Sequence, residues 1–116
     1  MKNVLVVEDE DSLRLLYKQE LSLKGLNVIT VDTGEDAINK VKTTDIDLVV
    51  LDIRLNGMNG LEALEGMLAK RRDLKVVINT AYSNYKDDFS SWLADAYLIK
   101  SSDLSELKTT IHNLMN

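Results

Sequence analysis

Leu48-Val49-Val50-Leu51-Asp52 decides how this chain is read: four apolar residues in a row, closed by one carboxylate. An unbroken apolar run of this kind marks a strand buried on both faces, as in a parallel sheet. The pattern recurs on either side of it. Upstream, Val4-Leu5-Val6-Val7 stops at Glu8-Asp9. Downstream, Val76-Val77-Ile78-Asn79 stops at Thr80, and Tyr97-Leu98-Ile99 stops at Lys100. Open α/β sheets bind ligands just beyond the carboxyl ends of their strands. If the four runs are neighbours in one sheet, three acids, a hydroxyl and an amine converge on one pocket. That set can hold a hard cation and a phosphoryl group.

Between the runs lie segments with helical spacing. Residues 12–24 place Leu13, Leu16, Tyr17 and Leu21 on one face, with Asp11 or Ser12 to cap the start and Gly25 to end it. Residues 27–31 read as a second strand, and 34–42 as a helix with Ala37, Ile38 and Val41 inward. The third strand spans 47–51. Asn56-Gly57-Met58-Asn59-Gly60 is a turn-rich loop, followed by a helix over 61–70 with Leu61, Leu64 and Leu68 inward. The fourth strand is 75–79, a short fourth helix is expected over 85–93, and the fifth strand is 96–99. Asp103 and Glu106 suggest a capping box for a last helix reaching 115, with Leu104, Leu107, Ile111 and Leu114 inward. Regular alternation of strands and helices predicts an α/β domain, a parallel sheet with helices on both faces.

Composition narrows the function. The 116 residues suit one domain over 1–116, and 45% apolar with 28% charged content suits a soluble globular chain. A net charge of −5 disfavours direct nucleic-acid binding. Cysteine is absent, which removes disulfides and thiolate metal sites. The first strand starts at residue 3, so no signal peptide is expected, and no apolar stretch approaches the ~20 residues of a membrane span. The expected setting is the cytoplasm.

Glu8-Asp9-Glu10-Asp11 is four carboxylates in a row. Alone, it reads equally well as a solvated loop with Asp11 as a helix cap. Paired with Asp52, it would need a counter-charge, and Mg²⁺ suits it as a hard cation with oxygen ligands. So acidic a turn argues against a flavin or nucleotide phosphate, which would want glycines and backbone N–H groups there. Asp52, Thr80 and Lys100 each have an ordinary reading too: a turn residue, a β-branched strand end and a solvated amine. All three ending separate strands makes coincidence a poor account. A carboxylate beside a metal can act as a nucleophile that forms an aspartyl phosphate.

At this point the chain resembles the receiver domain of two-component response regulators. The likeness rests on Val6-Val7-Glu8-Asp9-Glu10, Leu51-Asp52-Ile53-Arg54-Leu55 with Gly57-Met58 and Gly60, Asn79-Thr80-Ala81, and Tyr97-Leu98-Ile99-Lys100. It implies a doubly wound (βα)5 fold with strand order 2-1-3-4-5. It also implies that Asp52 is the phosphoacceptor, Thr80 the switch hydroxyl and Lys100 a phosphoryl contact. Mg²⁺ (or Mn²⁺) would be held by Asp9, Asp52 and the backbone carbonyl of Arg54, with Glu8 acting through water. Tyr97 matches the family's aromatic that swings inward on activation, or is an ordinary strand aromatic. The implied phosphodonors are a sensor histidine kinase or a histidine phosphotransfer protein. A downstream protein would read the switch, and two copies could pair on phosphorylation. Such a domain is not an enzyme for a separate substrate; it catalyses only its own phosphorylation and dephosphorylation.

Three departures stand out. Ser101 replaces the family's proline after the lysine, so the Lys100–Ser101 bond is expected to be trans or strained. Asn56 replaces a proline four residues after the phosphoacceptor. The stretch from Thr80 to Lys100 is about two residues short. Arg54 and Tyr82, each two residues past a key side chain, are large enough to screen a phosphoryl group from water, or are simply solvated. His112, the only histidine, is expected at the surface, and Trp92 and Phe89 to cover the sheet edge or a partner surface. An aspartate-nucleophile phosphatase would want a second acid where Arg54 stands. The other alternative is a receiver-like domain that binds partners constitutively without phosphorylation.

Overall fold

The computed structural model describes all 116 residues apart from the side chain of Phe89. Five strands form one parallel sheet: β1 (Asn3–Val7), β2 (Asn27–Val31), β3 (Leu48–Leu51), β4 (Lys75–Thr80) and β5 (Ala96–Ile99). Their order is β2-β1-β3-β4-β5, as the resemblance implied. The connecting helices are α1 (Asp11–Ser22), α2 (Gly34–Thr43), α3 (Gly60–Lys70) and, after β5, α4 (Ser105–Met115).

Strand side chains alternate between the two faces, and each face has its own core. Leu5, Val7, Val49, Leu51, Val76 and Ile78 pack with α2 and α3 through Ala37, Val41, Leu64 and Met67. Val4, Val6, Val50 and Val77 pack with α1 and α4 through Tyr17, Leu21, Leu107 and Ile111. This two-sided burial is why the strand sequences show no polar alternation. β1, β3 and β4 lie in the middle of the sheet, so their carboxyl ends stand side by side. Register pairs Val7 with Leu51, and Leu51 with Ile78. Asp52 N–H donates to the Val7 carbonyl at 3.1 Å, extending that ladder one residue past β3.

Several local expectations are corrected. The fourth helix over 85–93 is not an α-helix. Turns lead into a single 3-10 helix, Phe89–Leu93, capped by Asp88 accepting from Ser90 N–H at 2.9 Å. Turns occupy residues 84–87, where the first turns of the expected helix would lie, and the Asp88 cap starts a 3-10 helix after them. Leu16 is 38% exposed rather than inward, because the buried stripe of α1 runs through Tyr17 and Leu21. Neither Asp11 nor Ser12 caps α1. Glu10 holds the cap position without a side-chain bond to a helix N–H, and Asp11 instead pairs with Arg14. Asp103 makes no capping box with Glu106. Its carboxylate accepts from Ser105 N–H at 2.9 Å in the turn before α4, and Leu104 is the cap residue.

Other expectations hold. Gly25 takes φ +80° just past α1, a left-handed conformation that suits glycine. No peptide bond among the described residues is cis, so Lys100–Ser101 is trans. His112 is exposed on α4. Trp92 is 64% exposed and donates its indole N–H to the Lys86 carbonyl. The matching expectation for Phe89 lies outside the described residues. Among the described residues, no helix is long and apolar enough to cross a membrane.

Candidate functional site

Each chemical group of the site follows directly from a strand, so the backbone ladder sets its position. Glu8 and Asp9 follow β1, Asp52 follows β3, Thr80 ends β4, and Lys100 follows β5. Glu8 N–H donates to the Val31 carbonyl at 3.1 Å, and Lys100 N–H to the Thr80 carbonyl at 2.7 Å. The sheet thus holds these backbones rigidly while their side chains meet above it.

Lys100 Nζ lies 2.7 Å from Glu8 Oε1 and 2.9 Å from Asp52 Oδ2. Glu8 and Asp52 are nearly buried, so one ammonium compensates two carboxylates largely withdrawn from bulk water. Burial alone would lower the lysine's affinity for its proton, but hydrogen bonds to Glu8 and Asp52 and their charges outweigh it and raise its pKa. Burial raises the pKa of Glu8, although Lys100 and the Glu10 N–H pull the other way.

Glu8, Asp9 and Asp52 each bring a carboxylate oxygen within 4.8 Å of the others. Among the described residues, two buried side-chain oxygens lack any hydrogen-bond partner: Asp52 Oδ1 and Thr80 Oγ1. Buried polar atoms are seldom left so, because the desolvation cost goes unrecovered. A hard cation among the carboxylates and an incoming acceptor for the hydroxyl would satisfy both. The donor set therefore fits Mg²⁺ or Mn²⁺: all oxygen, all hard, gathered at one point.

Arg54 and Tyr82 meet, which the sequence did not foretell. The Arg54 guanidinium lies 3.9 Å from the centre of the Tyr82 ring. Tyr97 is half-buried and donates its hydroxyl to the Tyr82 carbonyl at 2.5 Å.

Residues 4–112 match the response regulator receiver domain family. The chain belongs to that family. It is 43% identical to the response regulator TrrA of Thermotoga maritima, solved in complex with Mg²⁺-BeF, covering 98% of this chain and 99% of that one at a TM-score of 0.95. A structure of histidine kinase ThkA in complex with TrrA matches at 42% identity and TM-score 0.93, covering 100% of both chains. The response regulator ArlR of Staphylococcus aureus is 32% identical over 99% of this chain. This receiver domain spans about half the length of the curated relatives it matches, 53% of ArlR.

Some site features escaped sequence reasoning. Asn79 sends its side-chain amide to the buried Tyr17 hydroxyl at 3.2 Å, tying α1 to the strand that carries Thr80. A polar residue inside an apolar strand was its signal. Gly60 is a second: its N–H donates to the Ile53 carbonyl at 2.7 Å, which seats α3 against the Asp52 loop. Tyr85 gave no signal at all, lying within a stretch read as helix.

Proposed function

We propose that this receiver domain is a phosphorylation-controlled signalling switch with Asp52 as its phosphoacceptor. The observation that carries this reading is the pair of unpartnered buried oxygens, Asp52 Oδ1 and Thr80 Oγ1, with Lys100 Nζ bound to the other Asp52 oxygen at 2.9 Å. Asp52 attacks the phosphorus of a phosphohistidine or a small acyl phosphate. A new P–O bond forms as the donor's P–N or P–O bond breaks. Lys100 neutralises charge gathering on the phosphoryl oxygens. Asp9, Asp52 and the Arg54 carbonyl would hold Mg²⁺, with Glu8 acting through water. When bound, the ion supplies positive charge against the phosphoryl oxygens. The domain acts on no separate substrate; it catalyses only the gain and loss of its own phosphoryl group.

The product brings added negative charge and new acceptor oxygens. Thr80 then has an acceptor for its hydroxyl and draws its loop inward. That loop carries the Tyr82 carbonyl held by Tyr97, so the pull reaches β5. The result biases a two-state surface around the 3-10 helix and β5 toward one partner-binding form. The likeness to TrrA, which is complexed with histidine kinase ThkA, supports a kinase as phosphodonor. A downstream protein, or a second copy of the domain, reads the new surface. Arg54 and Tyr82 screen the phosphoryl group and slow its loss.

Intact mass after incubation with Mg²⁺ and acetyl phosphate tests the reading. One added phosphoryl group is expected, absent in Asp52→Asn and in metal-free protein. A folded protein that gains none, from acetyl phosphate or from its kinase, would instead be a constitutive binding domain.

A further inference from the structure

The stretch that replaces the fourth helix ends in a fixed geometry. Ser90 Oγ lies 2.7 Å from Glu65 Oε1 on α3. Ser91, which is buried, donates its hydroxyl to the Tyr85 carbonyl at 2.6 Å, and Asp88 N–H donates to the same carbonyl at 3.1 Å. The Tyr85 backbone is thereby anchored, and its side chain packs, partly buried, against the core that α2 and α3 cover. Its hydroxyl accepts from Arg54 Nε at 3.2 Å, and the Arg54 guanidinium lies 5.9 Å from the Tyr85 ring centre and 3.9 Å from that of Tyr82. Arg54 follows Asp52 by two residues, and Tyr82 follows Thr80 by two. The three side chains therefore join the loop after β3 to the loop after β4.

We propose that Tyr85 is a positioning residue that holds Arg54 across the mouth of the site, so that Arg54, Tyr82 and Tyr85 act as one cover over the phosphorylated Asp52. An exposed arginine is otherwise free to swing away. The tyrosine hydroxyl fixes one edge of the guanidinium, and the Tyr82 ring fixes its face. Hydrolysis requires water to reach phosphorus opposite Asp52. Water's oxygen forms a new P–O bond, the P–O bond to Asp52 breaks, the released carboxylate stays on the protein, and inorganic phosphate leaves with water's proton passing to solvent. A held cover lowers the share of time in which water can make that approach. The short connection between β4 and β5 supplies the anchor, because an α-helix over 85–93 would turn Tyr85 into a helix residue with its backbone bonds spent internally.

This inference rests on Asp52 being the phosphoacceptor, and one experiment separates the two. Protein is phosphorylated with acetyl phosphate and Mg²⁺, the donor is removed, and the adduct is followed by intact mass. Tyr85→Phe keeps the ring and loses only the hydroxyl. It is expected to speed phosphate loss about fivefold, the rate equivalent of one ordinary hydrogen bond. Arg54→Ala is expected to speed it at least as much. Adding Tyr85→Phe to Arg54→Ala should change nothing further, a result that general loosening of the fold would not produce. Wild-type decay in Tyr85→Phe, or equal acceleration by Tyr85→Phe with and without Arg54, overturns the positioning role. No adduct on any variant, from acetyl phosphate or from the kinase, overturns the phosphoacceptor reading itself.

Discussion

Lys100 is shared between Glu8 at 2.7 Å and Asp52 at 2.9 Å, with most of its own side chain out of solvent. Remove the amine and two carboxylates are left facing each other in a low-dielectric corner. Breaking a buried ion pair by deleting one partner costs about 3–5 kcal/mol, far more than a surface pair is worth. Lys100→Ala is therefore expected to lose stability of that order in urea unfolding without metal. Added Mg²⁺ should then raise the melting temperature of the variant more than that of the wild type, because a cation that binds only the folded form takes over the missing charge. Equal responses to Mg²⁺ would show that the ion does not take over the charge that Lys100 supplies. Asp9 stands apart from this pairing, being half-exposed and free of the lysine.

At the scale of elements, the seat of α3 matters as much as any charged group. A Cβ on Gly60 would sit 2.2 Å from the Asp52 carbonyl oxygen and 2.6 Å from Ile53 Cα, both backbone atoms that cannot step aside. Gly60→Ala should cost at least about 3 kcal/mol, the upper end for an overpacked site, and should slow phosphoryl uptake by displacing the Asp52 loop. At Gly25 nothing lies within 4 Å, so Gly25→Ala meets only the left-handed backbone and should cost about 1 kcal/mol with uptake unchanged. Thermal melts and initial phosphorylation rates of the two variants check the contrast. These elements also show where sequence reading stops. The runs ending at Glu8, Asp52 and Thr80 were legible because double-sided burial leaves an unbroken apolar signature, the edge strand ending at Lys100 is apolar although only partly buried, and the strand ends then placed the site. The 85–93 stretch misled because its apolar residues are spaced as in a helix, whereas turns take 84–87 and a 3-10 helix the rest. Arg54, Tyr82 and Tyr85 come together across two loops, and no periodicity links residues that meet only in space.

Across the whole molecule, order is uneven. β1, β3 and β4 are flanked on both sides by strands, whereas β2 and β5 form the edges. The stretch over 81–88 adds few backbone hydrogen bonds of its own, Lys86 N–H to Ser83 and Asp88 N–H to Tyr85. Its amides are expected to exchange with solvent well before those of β1 and β3. Phosphorylation should slow exchange there and in β5 while leaving β1 and β3 unchanged; uniform slowing along the chain would count against a local switch. Trp92 gives this region one further property. It is the only tryptophan of the chain, it is 64% exposed, and its indole N–H reaches back to Lys86 at the edge of that stretch. The protein thus carries an intrinsic fluorophore on the surface that the switch would remodel, and its emission colour and quenching can follow the event in real time without a label.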